Sequence, residues 1–411
     1  MIPTLKSTQI FIYFLLLLTY SYSSYAGGFR LPEYTAAGVA TANALVADSS
    51  RISAIAYNPA IMSIYSSSDK QQTRLFSGNL IQVQYDTEVS TNNKTTQGTG
   101  ESTFNIPGLF ISERFSDKLS VGLLVHSPFG LETKWPTNTF APFGGSAALE
   151  PELSRIKMFN TNVNLGYKLN TNTGIAIGVN RYQLLDLRFN SQATAVEGEG
   201  VGYGWNAAFI TKLDKLTLGL SYRSKVQANA TGTAGGVTPI KLDVTFPEML
   251  TIGANYAISD ALTVELDIEH TGWKVYDNLN IRRTADNSTL TLSTNNWKNT
   301  LTYRASAQYK VRKHQFLFGY AYDETPQGDD YFSARAPDSD RQLFSVGYQY
   351  DFGTYKIETG LMLVKFKDRV VNSSKTYVPA NPPNEPNGST AYNGTYRSNA
   401  VVLSVGVNVA F

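Results

Sequence analysis

The sequence predicts an all-β protein: an antiparallel transmembrane β-barrel of about fourteen strands with an N-terminal hatch, or plug, in its lumen. Three observations predict it. Apolar and polar residues alternate with period two through most of the chain, the links between alternating segments are in turn short and long, and residues 27–70 lack the alternation. Composition agrees: 42% of the residues are hydrophobic, only 17% are charged, and there are 25 Tyr and 21 Phe. A formal net charge of +2 gives no reason to expect a nucleic-acid partner. The absence of cysteine excludes disulfides and thiolate metal sites, and no cofactor is expected.

The first element is a leader. Lys6 precedes the apolar run "IFIYFLLLL" (10–18), which is too short to span a bilayer as a helix. Ser24 and Ala26 make a small-x-small site, so residues 1–26 are expected to be a signal peptide cut near Ala26. No long apolar run follows it.

The second element, 27–70, is rich in Ala, Ser and Gly, and "TAAGVATANALVAD" (35–48) has the composition of one or two short helices. Asn58-Pro59-Ala60 closes it. Proline has no N–H and disfavours a helical residue before it, so this tripeptide marks a turn that hands the chain to the first strand. Ile55, Ile61 and Met62 need burial, which a tail in solvent would not give them.

The third element, 71–411, is the barrel. "VNLGYKL" (163–169), "LTLGLSYRSKV" (216–226), "LTVELDIEH" (262–270) and "VLSVGVNVAF" (402–411) each carry one apolar and one polar face. A soluble sandwich also alternates. Here, however, turns such as "NTNT" (170–173) and "KLDK" (212–215) alternate with long links such as 127–155 and 371–394, as outer-membrane barrels do. Closure into a barrel pairs every backbone group within lipid. The polar faces carry Arg223, Lys225, Arg304, Arg188, Glu265, Asp267 and Glu269, which are expected to pair across the lumen. Two places break strand rules. Pro107-Gly108 interrupts "FNIPGLFIS" (104–112), and Arg181 falls in an apolar phase, which points to a bulge or to an interface position.

In this order the motifs resemble the FadL-type family of outer-membrane hydrophobic-compound transporters, over essentially the whole mature chain. They are "GGFRLPEY" (27–34), Asn58-Pro59-Ala60, "SPFGLETKW" (127–135), "LGLSYRSKV" (218–226), "HTGW" (270–273), "GYAYDETP" (319–326) and "PDSDR" (337–341). The resemblance implies passive uptake across the outer membrane of a Gram-negative bacterium. A long-chain fatty acid, or alternatively a hydrocarbon, is captured among extracellular loops and released sideways through the wall after the hatch moves. Its partners would be the apolar ligand and outer-membrane lipid, and the protein would be a monomer.

The resemblance turns Phe29 and Leu31 into the lumen. The loop residues Phe129, Leu131, Trp135, Phe140 and Phe143 form an apolar set suited to the ligand or to loop packing. In "LLDLRFN" (184–190) the phase of Leu185, Leu187 and Phe189 turns Arg188 inward, where its planar fork could receive a carboxylate. The wall opening is expected at residues 105–109 and 120–126, with Pro107, Gly108 and Gly122 at its edge and Gly108→Trp closing it. An adhesive barrel is a competing reading. An enzyme is not expected, because none of the three histidines, His126, His270 and His314, sits in a nucleophile motif.

Overall fold

Clean alternation becomes long strands in the computed structural model, which describes residues 27–65, 72–91, 97–98, 102–140 and 150–411. The leader 1–26, the hatch residues 66–70 and Phe143 lie outside the described residues. The first wall strands are β1 (Arg74–Ser90), β2 (Ser102–Arg114) and β3 (Leu119–His126, resuming at Leu131–Lys134). Then come β4 (Pro151–Asn170), β5 (Thr173–Ser191), β6 (Val196–Leu213) and β7 (Leu216–Arg223 with Val226–Ala234). The second half holds β8 (Thr238–Phe246 with Met249–Ala257), β9 (Leu262–Thr271 with Asn278–Arg283) and β10 (Thr289–Thr294 with Thr300–Val311). It ends with β11 (His314–Asp323), β12 (Arg341–Asp351), β13 (Tyr355–Phe366 with Arg369–Val371) and β14 (Gly394–Ala410). Neighbours pair antiparallel, and β1 meets β14 from Leu75–Ala410 to Ser90–Thr395, so the fourteen strands close into a barrel. No helix among the described residues is long and apolar enough to cross a membrane.

The two faces of the wall are inverted relative to a soluble sheet. On β4 and β5 the outward Val163, Leu165, Ile177 and Val179 are exposed, whereas the inward Asn162, Asn164 and Asn180 are buried. These asparagines, with Asn160 and Asn206, satisfy one another: Asn160 donates to Asn180 at 2.9 Å, Asn162 to Asn206 at 2.7 Å, and Asn206 to Asn164 at 2.7 Å. Apolar side chains facing outward gain from lipid what core residues gain from one another, and the inner amides pair with one another, except that Asn160 Oδ1 has no donor among the described residues.

Two bulges change phases that the alternation alone had set. Leu184 of β5 is opposite Gly200 and Leu187 is opposite Gly198, so β5 holds one extra residue there. Beyond it Leu187 is buried inside and Arg188 lies on the outer face. The inward position expected for Arg188 is therefore corrected. Its guanidinium pairs with Glu197 and, at 2.6 Å, with Asp186, which also accepts from Arg155 at 3.0 Å. An extra residue in β7 likewise leaves Arg223 buried inside but turns Lys225 to the exposed outer face, so these two do not share the lumen. One inserted residue moves every later side chain to the opposite face.

Residues Gly27–Tyr65 pack within the ring of strands. Their short helices are α1 (Ala36–Ala40), whose Thr35 accepts from Gly38 N, and α2 (Ile61–Ile64), and every residue of both is buried. The hatch is tied to the wall by charge and amide contacts. Asp267 accepts from the backbone N–H of Leu45 and Val46 at 3.1 and 3.3 Å, and Glu265 from that of Ala47 at 2.7 Å. On the neighbouring part of the wall, strands β10 to β13, Arg51 binds Glu358 and donates to Gln308 and Gln315 at 2.9 Å. Gly219 of β7 leaves space for the hatch at Val46, since a Cβ there would collide with the Val46 carbonyl. Asn58 explains its motif. Its side-chain amide donates to Val46 O at 2.8 Å and to Phe209 O of β6 at 3.0 Å, while its Oδ1 accepts from Ala60 N at 3.1 Å. Pro59 stands where α2 begins and no N–H is needed.

Candidate functional site

The wall is interrupted at β3. Its ladder with β2 stops at Leu109–Val125, and after residue 130 it pairs only with β4, from Leu131–Ile156 to Lys134–Leu153. Residues 102–108 of β2 thus pair with β1 on one side and with no strand on the other, among the described residues. Pro107 lies in this stretch, where an open edge tolerates a missing donor. The intervening residues of β3 step inward and pair with the hatch instead. Leu31 N donates to Pro128 O at 2.9 Å, and Gly130 N to Phe29 O at 3.0 Å.

A cavity of about 390 Å³ occupies the space so created. Phe29, Leu31, Val83, Ile106, Phe129, Leu131, Ile156, Met158 and Phe366 line it from within, and Asn105, Pro107, Lys157 and Phe159 from the outer phase of β2 and β4. Inner and outer residues thus border one space at the break in the ladder. Its lining is mainly apolar, with Arg341 at the hatch end held by Asp323 at 2.7 Å.

Beside it, Phe29 fills an aromatic cage. Its ring centroid is 4.8 Å from Trp273, 5.2 Å from Tyr276, 5.5 Å from Trp297 and 6.1 Å from Phe129. Gly28, with φ of 63°, is wedged between the two indoles, where a Cβ would meet both at 2.8 Å. Neither indole N–H finds an acceptor among the described residues. Gly28 N donates to Asp338 Oδ2 at 2.9 Å, and burial pushes the Asp338 carboxyl up to about 6 despite Arg341 nearby.

The residues singled out in the sequence divide. Phe29, Leu31, Phe129 and Leu131 come together at the cavity. Trp135 and Phe140 do not line it: they pack with Phe332, Tyr392 and Tyr396 in an aromatic cluster of the extracellular loops, and Trp135 Nε1 donates to Ala334 O at 2.7 Å. Gly108 faces the hatch, since a Cβ there would collide with the Tyr34 carbonyl oxygen. Gly108→Trp would therefore displace the hatch rather than fill an opening. Gly122 is paired with Ser112 below the break and touches Met62 and Phe110 at its inner side, so it does not border the gap. The interruption involves residues 102–108 and 126–131, displaced from the expected 105–109 and 120–126 because pairing survives through Val125. Trp273 and Trp297 were missed as site residues. "HTGW" carried a motif but no role, and nothing local places residue 297 beside residue 29.

The division makes a test. Phe129→Ala is expected to weaken binding of an apolar ligand about tenfold or more, because a buried side chain contributes roughly 1.5–3 kcal/mol. Trp135→Ala should instead loosen the loops, seen as faster proteolysis there with a smaller change in affinity. Equal losses of affinity would place both residues on the ligand.

The family described as outer membrane protein transport protein (OMPP1/FadL/TodX) matches residues 17–411. A long-chain fatty acid transport protein of Escherichia coli O6:H1 is 22% identical over 396 residues, covering 81% of this chain and 85% of that one. A FadL homologue of Pseudomonas aeruginosa superposes with a TM-score of 0.75 at 17% identity, covering 94% of this chain and 100% of that one. The toluene transporter TodX of P. putida superposes with a TM-score of 0.65 at 16% identity, covering 92% and 98%.

Proposed function

We propose that this chain, which belongs to the outer membrane protein transport family (OMPP1/FadL/TodX), takes up long-chain fatty acids passively and releases them sideways into the membrane. Its place in the family makes it an outer-membrane transporter of hydrophobic compounds. The fatty acid and the lateral route are our reading. One observation carries it: a mainly apolar cavity reaches from the Phe29 cage to the outer phase of β2 and β4. A chain-like apolar ligand gains nothing by entering periplasmic water, and the bilayer beside Pro107 and Phe159 is the solvent it prefers. The E. coli relative is named for fatty acids, and the superposed TodX for toluene.

Uptake of labelled oleate into liposomes holding the protein, run against toluene, tests the substrate. Preference for oleate is expected, and preference for toluene would replace it with the hydrocarbon reading. Asn105→Trp, which narrows the outer mouth, tests the route. It should lower oleate uptake several-fold more than it lowers oleate binding, and an equal effect on both would move the exit elsewhere.

A further inference from the structure

We propose that cleavage of the Ala26–Gly27 bond creates a working part of the hatch: the new α-ammonium of Gly27 is the buried counter-ion of Asp323 and Asp338. Hydrolysis by a processing peptidase adds one water across the amide, leaving a carboxylate on Ala26 and an amine on Gly27 that takes up a proton. Gly27 is already seated for this. A Cβ on it would collide with Asp323 Oδ2 and Arg341 Nη2, and the next N–H, that of Gly28, donates to Asp338 Oδ2 at 2.9 Å. The Gly27 nitrogen is bonded to the carbon that packs on Asp323, so it lies within reach of the pair.

The charges around it do not balance. Asp323 and Asp338 are only 5% and 6% exposed, and Arg341 alone serves both, lying in the field of Glu33 as well. Thr302 and Thr325 each donate to one of the two carboxylates at 2.6 Å but bring no charge. Arg304 also acts on Asp323 and Arg30 lies in its field, but both guanidiniums bind Glu269, and Arg369 pairs with Asp329. Three guanidiniums, Arg30, Arg304 and Arg341, thus face four buried carboxyls, Glu33, Glu269, Asp323 and Asp338, a surplus of negative charge among the described residues that is costly away from water unless a cation joins it. The upward push on the Asp338 carboxyl has the same origin, burial with too little positive charge. An ammonium at Gly27 completes the set, and it pins the strand that carries Phe29 and Leu31.

The test is made on the purified mature protein in detergent. Intact mass should place its first residue at Gly27, and acetylation of its α-amine at neutral pH should be at least about tenfold slower than in the urea-unfolded chain. Asp323→Asn and Asp338→Asn should each bring the rate closer to the unfolded one. A mature chain that starts elsewhere, or an α-amine that reacts equally fast folded and unfolded, would overturn the proposal without bearing on what is transported.

Discussion

Phe29→Ala is expected to free the N-terminal strand of the hatch while leaving the barrel intact. The Phe29 ring makes edge-on contacts with Trp273, Tyr276, Phe129 and Phe246 and a tilted one with Trp297. Removing a buried phenyl ring costs about 3–5 kcal/mol, and here the cage stands on loops and β3 rather than on a self-filling core. That exceeds what two backbone hydrogen bonds, at roughly 1 kcal/mol each, can hold. Amide exchange at Leu31 and Gly130, which bond to Pro128 and Phe29, should therefore accelerate by two orders of magnitude or more. The wall amides of β5 and β6 should not change. Protection of Leu31 at the original level would mean that the strand is held by the Gly28–Asp338 end and not by the cage.

Breaking the Arg51 cluster should release the other end of the hatch. Arg51 and Glu358 are both buried, and Arg51 also contacts Asp48 at 3.3 Å and Gln308, Gln315 and Gln349. Glu358 further accepts from Ser53 at 3.2 Å. Glu358→Ala leaves a guanidinium in a dry site with one carboxylate, a loss of about 3–5 kcal/mol. Residues 48–65 should become sensitive to protease, and the barrel should leak small polar solutes. The triple change Asp48→Asn, Arg51→Met and Glu358→Met should recover part of the loss, because it leaves no member of the cluster charged without a partner, whereas Arg51→Met with Glu358→Met alone would strand the buried Asp48 carboxylate. If the triple variant leaks as much as the single one, the charge cluster does more than fill space: it also sets the direction of the hatch.

How much of this was legible in the sequence depends on the distance over which each feature is determined. Period-two alternation, with short and long links in turn, determined a closed wall with apolar residues outside, because pleating sends neighbouring side chains to opposite faces wherever the strand lies. The absence of that period set 27–70 apart from the wall, whereas Asn58-Pro59, expected to hand the chain to the first strand, instead opens the helix α2. The phase of Arg188 and Lys225 was not legible. A bulge adds one residue without any signature in composition, yet it inverts everything beyond it. Nor was the cage. Residues 29, 129, 273 and 297 meet only because the barrel closes and β3 steps inward, and no local pattern encodes contacts across more than a hundred residues. The sequence by itself determined the wall, the segment inside it and the membrane outside it. The tertiary structure alone decided where the wall is interrupted, which rings grip Phe29, and that Trp135 and Phe140 pack on loops rather than on the cavity, because those depend on which distant surfaces compete for the same apolar contacts.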